Sequence, residues 1–109
     1  MAKQITSTTE HAERDGQTLE TRNHDVIMRW AEQRGARPAT VPDSDYDGRP
    51  GVLRFDFPGY GGGNLQQISW DDWFRTFDER NLVFRYQETM RDGTESNFFI
   101  LENPDRDDG

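Results

Sequence analysis

The stretch R-F-D-F-P-G-Y-G-G-G-N-L-Q-Q-I-S-W-D-D-W-F, residues 54–74, reads as a strand, a glycine-rich loop and a helix. Proteins build phosphate cradles in that order, because the main-chain N–H groups at a helix start attract anions. Here the pattern fails. In Gly59, Tyr60, Gly61, Gly62, Gly63, Asn64, an asparagine stands where the last glycine of a dinucleotide loop belongs, and no Gly-Lys-Ser/Thr follows. The helix that follows is capped by Ser69 and carries Asp71 and Asp72 in its first turn, so its positive end already faces two carboxylates. The loop therefore reads as a connector whose glycines allow positive φ.

Working outward, Ser69 with Asp72 three residues on resembles a capping box, and Trp70, Trp73, Phe74 and Phe77 follow at helical spacings. These aromatics read as core. An earlier helix starts at Asn23, with Asp25 in its first turn and Val26, Ile27, Trp30 and Ala31 as its apolar stripe. Gly35 and Pro38 stop it, which gives a helix over about residues 24–34. Three strands are expected, at Val52–Phe57, Leu82–Glu88 and Ser96–Leu101. The last two form a hairpin around Asp92-Gly93. The expected fold is α+β, a three-stranded sheet with two helices packed on one face, in the order α-β-α-β-β. The direction of the first strand against its neighbour stays open.

Residues 1–22 offer only Ile5 and Leu19 as sizeable apolar groups beyond Met1, so they read as a disordered N-terminal tail. Residues 103–109 read as a disordered acidic C-terminal tail, leaving a single domain over residues 23–102. The chain has 109 residues, room for one compact core. Cysteine is absent, which removes disulfides and thiolate chemistry and points to an intracellular, cytoplasmic setting. No apolar run reaches the length of a membrane span, and no secretory signal plan is visible. The formal net charge is −8, which opposes direct binding to nucleic acid. Lysine occurs once, at Lys3, and every other basic residue is arginine, a bias that fits a salt-rich habitat or codon usage.

The blocks H-D-V-I-M-R-W-A-E-Q-R-G-A-R-P-A-T-V, L-R-F-D-F-P-G-Y and I-S-W-D-D-W-F-R-T-F-D, then Y-Q-E and S-N-F, span most of residues 24–98. In these blocks and their order the chain resembles a group of short bacterial proteins. The resemblance implies little about activity. Some members carry the name glucan-branching enzyme, which implies a large barrel enzyme that a chain of this length cannot contain. The segment Pro42 to Gly51 is more acidic here than the resemblance would lead one to expect.

Candidate chemistry is thin. D-S-D-Y-D-G, residues 43–48, matches the opening of a calcium loop, but the twelfth position is Arg54 where a bidentate glutamate is required. A solvated acidic turn is the better reading, and no metal or cofactor is expected. His11 and His24 are the only histidines, and no serine or threonine nucleophile has an evident base. His24-Asp25 alone is too small a set for a metal-dependent phosphohydrolase and reads as helix capping. The pairs Asp71/Asp72 and Asp78/Glu79 diverge by about 100° on a helix and form a solvated face.

What remains is a sheet face. With Leu53, Phe55, Phe57, Leu82, Phe84 and Tyr86 inward, Arg54, Asp56, Arg85 and Gln87 point outward. The parity of the last strand is open between Phe98 with Ile100 and Phe99 with Leu101. One aromatic joins the arginines either way, and the candidate partner-binding residues are Arg54, Arg85 and Phe99. Cross-strand pairing of the arginines with Asp56 or Glu88 is the plainer alternative. The functional expectation is a non-enzymatic protein-interaction domain that binds a protein partner, a second copy included, through the open sheet face or an edge strand. The rival readings are a small-ligand or catalytic protein using loop 59–64, and an acidic decoy for a nucleic-acid-binding protein.

Overall fold

The computed structural model describes residues 2–43, 51–59 and 65–103. It overturns the expected single three-stranded sheet. Among the described residues there are two helices and seven strands in two sheets, one of four strands and one of three. The chain divides into two compact units, Met1–Trp30 with Asn81–Gly109, and Ala31–Arg80.

The first unit holds β1 (Lys3–Gln4), β2 (Thr18–Thr21), β6 (Val83–Gln87) and β7 (Phe99–Glu102), in the spatial order β1-β2-β6-β7. Residues 2–22 thus contribute two strands where a tail is expected. β2 runs parallel to β1 and antiparallel to β6, so its main-chain groups are paired on both sides. That pairing is why two apolar side chains suffice to order the segment: Ile5 and Leu19 are 2% and 0% exposed. The buried Thr21 hydroxyl donates to Ile5 O at 2.7 Å, and Ile5 N–H donates to Glu20 O at 2.8 Å. The expected C-terminal tail beyond Asn103 lies outside the described residues.

Helix α1 (His24–Gln33) begins where Asn23 Oδ1 accepts from Val26 N–H at 3.0 Å. Its Trp30 belongs to the same unit as the four-stranded sheet. The indole lies edge-on to Phe84, Tyr86 and Phe99, with centroids 5.3, 6.3 and 5.8 Å away, and its N–H donates to Gln87 O at 2.8 Å. β6 and β7 pair antiparallel as a hairpin, and Asp92 Oδ1 caps the turn by accepting from Thr94 N–H at 3.0 Å. Gly93 supplies the positive φ of +88° that this turn requires.

The second unit holds β3 (Arg37–Thr40), β4 (Leu53–Asp56), β5 (Gln66–Gln67) and helix α2 (Trp70–Glu79). β3 lies in the middle and pairs antiparallel with both β4 and β5. The open question about the first expected strand is answered by a partner that the sequence reading omitted. Pro38 ends the helical run as expected, yet it also sits inside β3. Val41 N–H donates to Val52 O, so bonded pairs with β4 recur at Ala39 and Arg37, and Pro38 turns its nitrogen toward β5. On that side Ile68 N–H donates to Pro38 O at 3.0 Å, and the absent proline N–H leaves only the return bond to Ile68 unmade, at the end of the short pairing with β5.

Helix α2 is capped by Ser69, whose hydroxyl accepts from Asp72 N–H at 3.0 Å. Trp73, 0% exposed, stacks on Phe55 with centroids 5.0 Å apart and on Phe77 at 5.5 Å. Its indole N–H donates to Arg54 O at 3.1 Å. The two units thus repeat one device: a helix tryptophan buries its rings on a sheet and spends its single donor on a strand carbonyl.

Two substitutions test these cores by urea denaturation. Leu19→Ala is expected to cost about 2–5 kcal/mol, as a buried leucine does, where an unpacked tail would give no change. Trp73→Ala is expected to cost about 3–5 kcal/mol.

Candidate docking surface on the four-stranded sheet

Register sorts the side chains of the first unit onto two faces. Leu19 opposes Tyr86, Thr21 opposes Phe84, and Phe99 opposes Tyr86 from the other side, all on the face covered by Trp30. The alternate positions Glu20, Arg85 and Ile100 form one row across β2, β6 and β7 on the other face.

On that outer face a guanidinium is held between two carboxylates. Arg85 Nε and Nη2 donate to Glu20 Oε2 at 2.9 and 2.5 Å, and Nη1 lies 3.0 Å from Glu102 Oε1. Gln4 Nε2 donates to the other oxygen of Glu20 at 2.6 Å, so β1, β2, β6 and β7 are tied by one polar chain. The Glu20 side chain is only 16% exposed. The Arg85 hydrogen bond, helped by that of Gln4 and the Arg85 charge, holds the Glu20 carboxyl below its usual range against the opposing effect of burial. Arg85 is pushed up in turn, first by its bond to Glu20 and then by the charges of Glu102 and Glu20.

The candidate residues do not form one site. Arg54 lies on β4 of the three-stranded sheet and Arg85 on β6 of the four-stranded sheet, so the expected pair of arginines on adjacent strands is absent. Phe99 turns inward, stacked against Phe84 with centroids 5.9 Å apart. The exposed aromatic is Phe98, at 43%, and Ile100 joins it at 38%. Arg85 is paired within the sheet, but with Glu20 and Glu102 rather than Asp56 or Glu88. Asp56 instead accepts from Gln67 Nε2 at 3.1 Å, and Glu88 accepts from His11 and from Ala12 N–H. Glu20 escaped the sequence reading because it lies in the supposed tail. The alternation T-L-E-T was its one available signal.

β7 is an edge strand: among the described residues no strand pairs with its outer side. Gln87 N–H donates to Phe98 O at 3.3 Å, so bonded pairs with β6 recur at Ile100 and Glu102, and the main-chain groups of Leu101 point away from β6. The outward N–H and C=O of Leu101 beside two exposed apolar side chains form a short edge of the kind that accepts an added strand.

Most of the other candidate chemistry falls outside the described residues. Loop residues 60–64 and residues 44–50 of the acidic turn lie outside the described residues, so the phosphate and calcium readings are placed only at Gly59 and Asp43. No group of three or more His, Cys, Asp or Glu among the described residues is arranged to hold a metal. A cleft of about 370 Å³ in the second unit is lined by Arg37, Gln67, Ser69 and Trp70, among others. One of about 490 Å³ in the first unit is lined by Gln4, Thr6, Glu20 and Arg22, among others. No buried side-chain polar atom among the described residues lacks a partner that a ligand would have to supply. No helix among the described residues is long and apolar enough to cross a membrane.

No family model matches the chain, and comparison with curated proteins and solved structures returns no match.

The Glu20–Arg85 pair gives a signed pH prediction. Because the folded carboxyl titrates below its unfolded value of about 4.3, its stabilisation is fully present above that pH and is lost as pH falls through the folded value. Wild type should therefore exceed Glu20→Gln in urea midpoint at pH 7, and the two should converge as pH falls through the folded value. Arg85→Glu would set three carboxylates together and is expected to cost about 1–2 kcal/mol. Arg54→Glu should stay within about 0.5 kcal/mol of wild type.

Proposed function

We propose that the chain is a non-enzymatic interaction domain that docks an extended segment of a protein partner along β7 and over the adjoining outer face of the four-stranded sheet. The observation that carries this reading is the coincidence of an edge strand with Phe98 and Ile100 exposed on its outer side. Isolated surface apolar residues need no explanation, but two at alternate positions beside outward main-chain groups match a strand-addition site. The inner side of the strand is fixed by Phe99 on Trp30 and Phe84, so the edge is presented on a rigid support.

The double variant Phe98→Ser, Ile100→Ser removes the apolar part of this surface and leaves the inward cluster untouched. It is expected to melt within a few degrees of wild type. In crosslinking followed by mass spectrometry from host lysate, it should lose partners that wild type and Arg54→Glu both recover. Recovery of the same partners at the same strength by the folded double variant would place the interaction elsewhere.

A further inference from the structure

We propose that the cleft of the second unit is a binding site for a free α-amino acid with an apolar side chain. Its walls come from the end of α1, the start of β3, β5 and the start of α2, and its volume of about 370 Å³ has room for one small molecule. Of the three tryptophans of the chain, two spend the indole N–H on a strand carbonyl, Trp30 on Gln87 and Trp73 on Arg54. Trp70 breaks that pattern. It is half-buried in the wall of the cleft, its ring stacked on Phe74 with centroids 5.2 Å apart, yet among the described residues its N–H has no acceptor. Arg37 lines the same cleft, and its guanidinium likewise has neither a hydrogen bond nor an ion pair among the described residues. Two donors without acceptors, one charged and one fixed by aromatic packing, suit a carboxylate.

The remaining groups oppose a simple anion. Glu32, in the last turn of α1, also lines the cleft, and its carboxylate has no partner among the described residues. Glu32 and Arg37 thus bring opposite charges to one cleft without spending them on each other. Asp56 sits opposite Arg37 in the β3–β4 register but accepts from Gln67 Nε2 instead. Asp71 and Asp72 occupy the first turn of α2, with Asp72 3.6 Å from Arg75. A phosphate would meet these carboxylates with Arg37 alone in its favour at the cleft wall, whereas a zwitterion adds no net charge. Its carboxylate answers Arg37 and the Trp70 N–H. Its ammonium answers Glu32 and Gln67 Oε1, which accepts no hydrogen bond among the described residues. Pro38, Ile68 and the Trp70 ring supply the apolar part of the wall, which sets the side-chain preference.

The test uses the full chain and follows the three indole N–H signals by two-dimensional NMR, that of Trp70 being assigned with Trp70→Phe. L-Leucine or L-phenylalanine is expected to shift the Trp70 signal saturably in the millimolar range and to leave that of Trp30 in place. The methyl ester, which lacks the carboxylate, and the N-acetyl derivative, which lacks the ammonium, should each bind about tenfold more weakly or worse. Arg37→Gln should erase the preference for the amino acid over its ester, and Glu32→Gln the preference over its N-acetyl derivative. Both side chains are exposed, so neither change disturbs the fold. Binding of the ester or the N-acetyl derivative as tightly as the amino acid would overturn the zwitterion assignment, as would tighter binding of inorganic phosphate. No saturable shift of Trp70 by either amino acid would overturn the site itself and leave docking along β7 untouched.

Discussion

The indole of Trp30 holds helix α1 to the four-stranded sheet in two ways at once. Its rings meet Phe84, Tyr86 and Phe99 edge-on, and its N–H is bonded to the carbonyl of Gln87. The second contact fixes the position of the first. A purely apolar side chain could slide along the sheet, whereas a donor aimed at one carbonyl sets a single register between helix and strand. With that register set, Phe99 is drawn inward and Phe98 and Ile100 must face outward, because side chains on a strand alternate. The exposed surface is thus a geometric consequence of the buried one.

The outer face is organised by polar pairing. Gln4, Glu20, Arg85 and Glu102 span all four strands, and each strand contributes one member. Because Arg85 is shared between two carboxylates, the chain neutralises its own best-placed cation. What is left exposed at that edge is a pair of apolar side chains, Phe98 and Ile100, beside the backbone of β7.

Much of the local structure was legible in the sequence, and the reason is that its signals are local. Asn23 and Ser69 mark helix starts through side-chain acceptors, and Asp92-Gly93 marks a turn through its φ requirement. The spacing of Trp70, Trp73, Phe74 and Phe77 marks an inward helix face that buries the last three. The tertiary plan was not legible. β1, β3 and β5 are short, with sequences K-Q, R-P-A-T and Q-Q that carry no strand pattern, and they exist because neighbours satisfy their main-chain groups. β2 pairs with β6 across 65 residues of sequence, a distance over which no periodicity gives information. The same gap hid the site: the ion pair of Arg85 could not be assigned while Glu20 lay in a supposed tail. The parity of β7 was undecidable because F-F-I-L is apolar at every position, and only Trp30 breaks the tie.

The division of the chain carries a kinetic consequence. Residues 31–80 form one compact unit from a continuous segment, whereas the other unit is assembled from sequence on both sides of it. On a ribosome the continuous unit can collapse as soon as residue 80 emerges, but β2 has no antiparallel neighbour until β6 has followed. Closing that long loop costs entropy before any contact repays it, so the four-stranded sheet is expected to assemble after the continuous unit. Until β6 has emerged, the side of β2 that it pairs with has no partner, and the formal net charge of −8 opposes association between chains in that state.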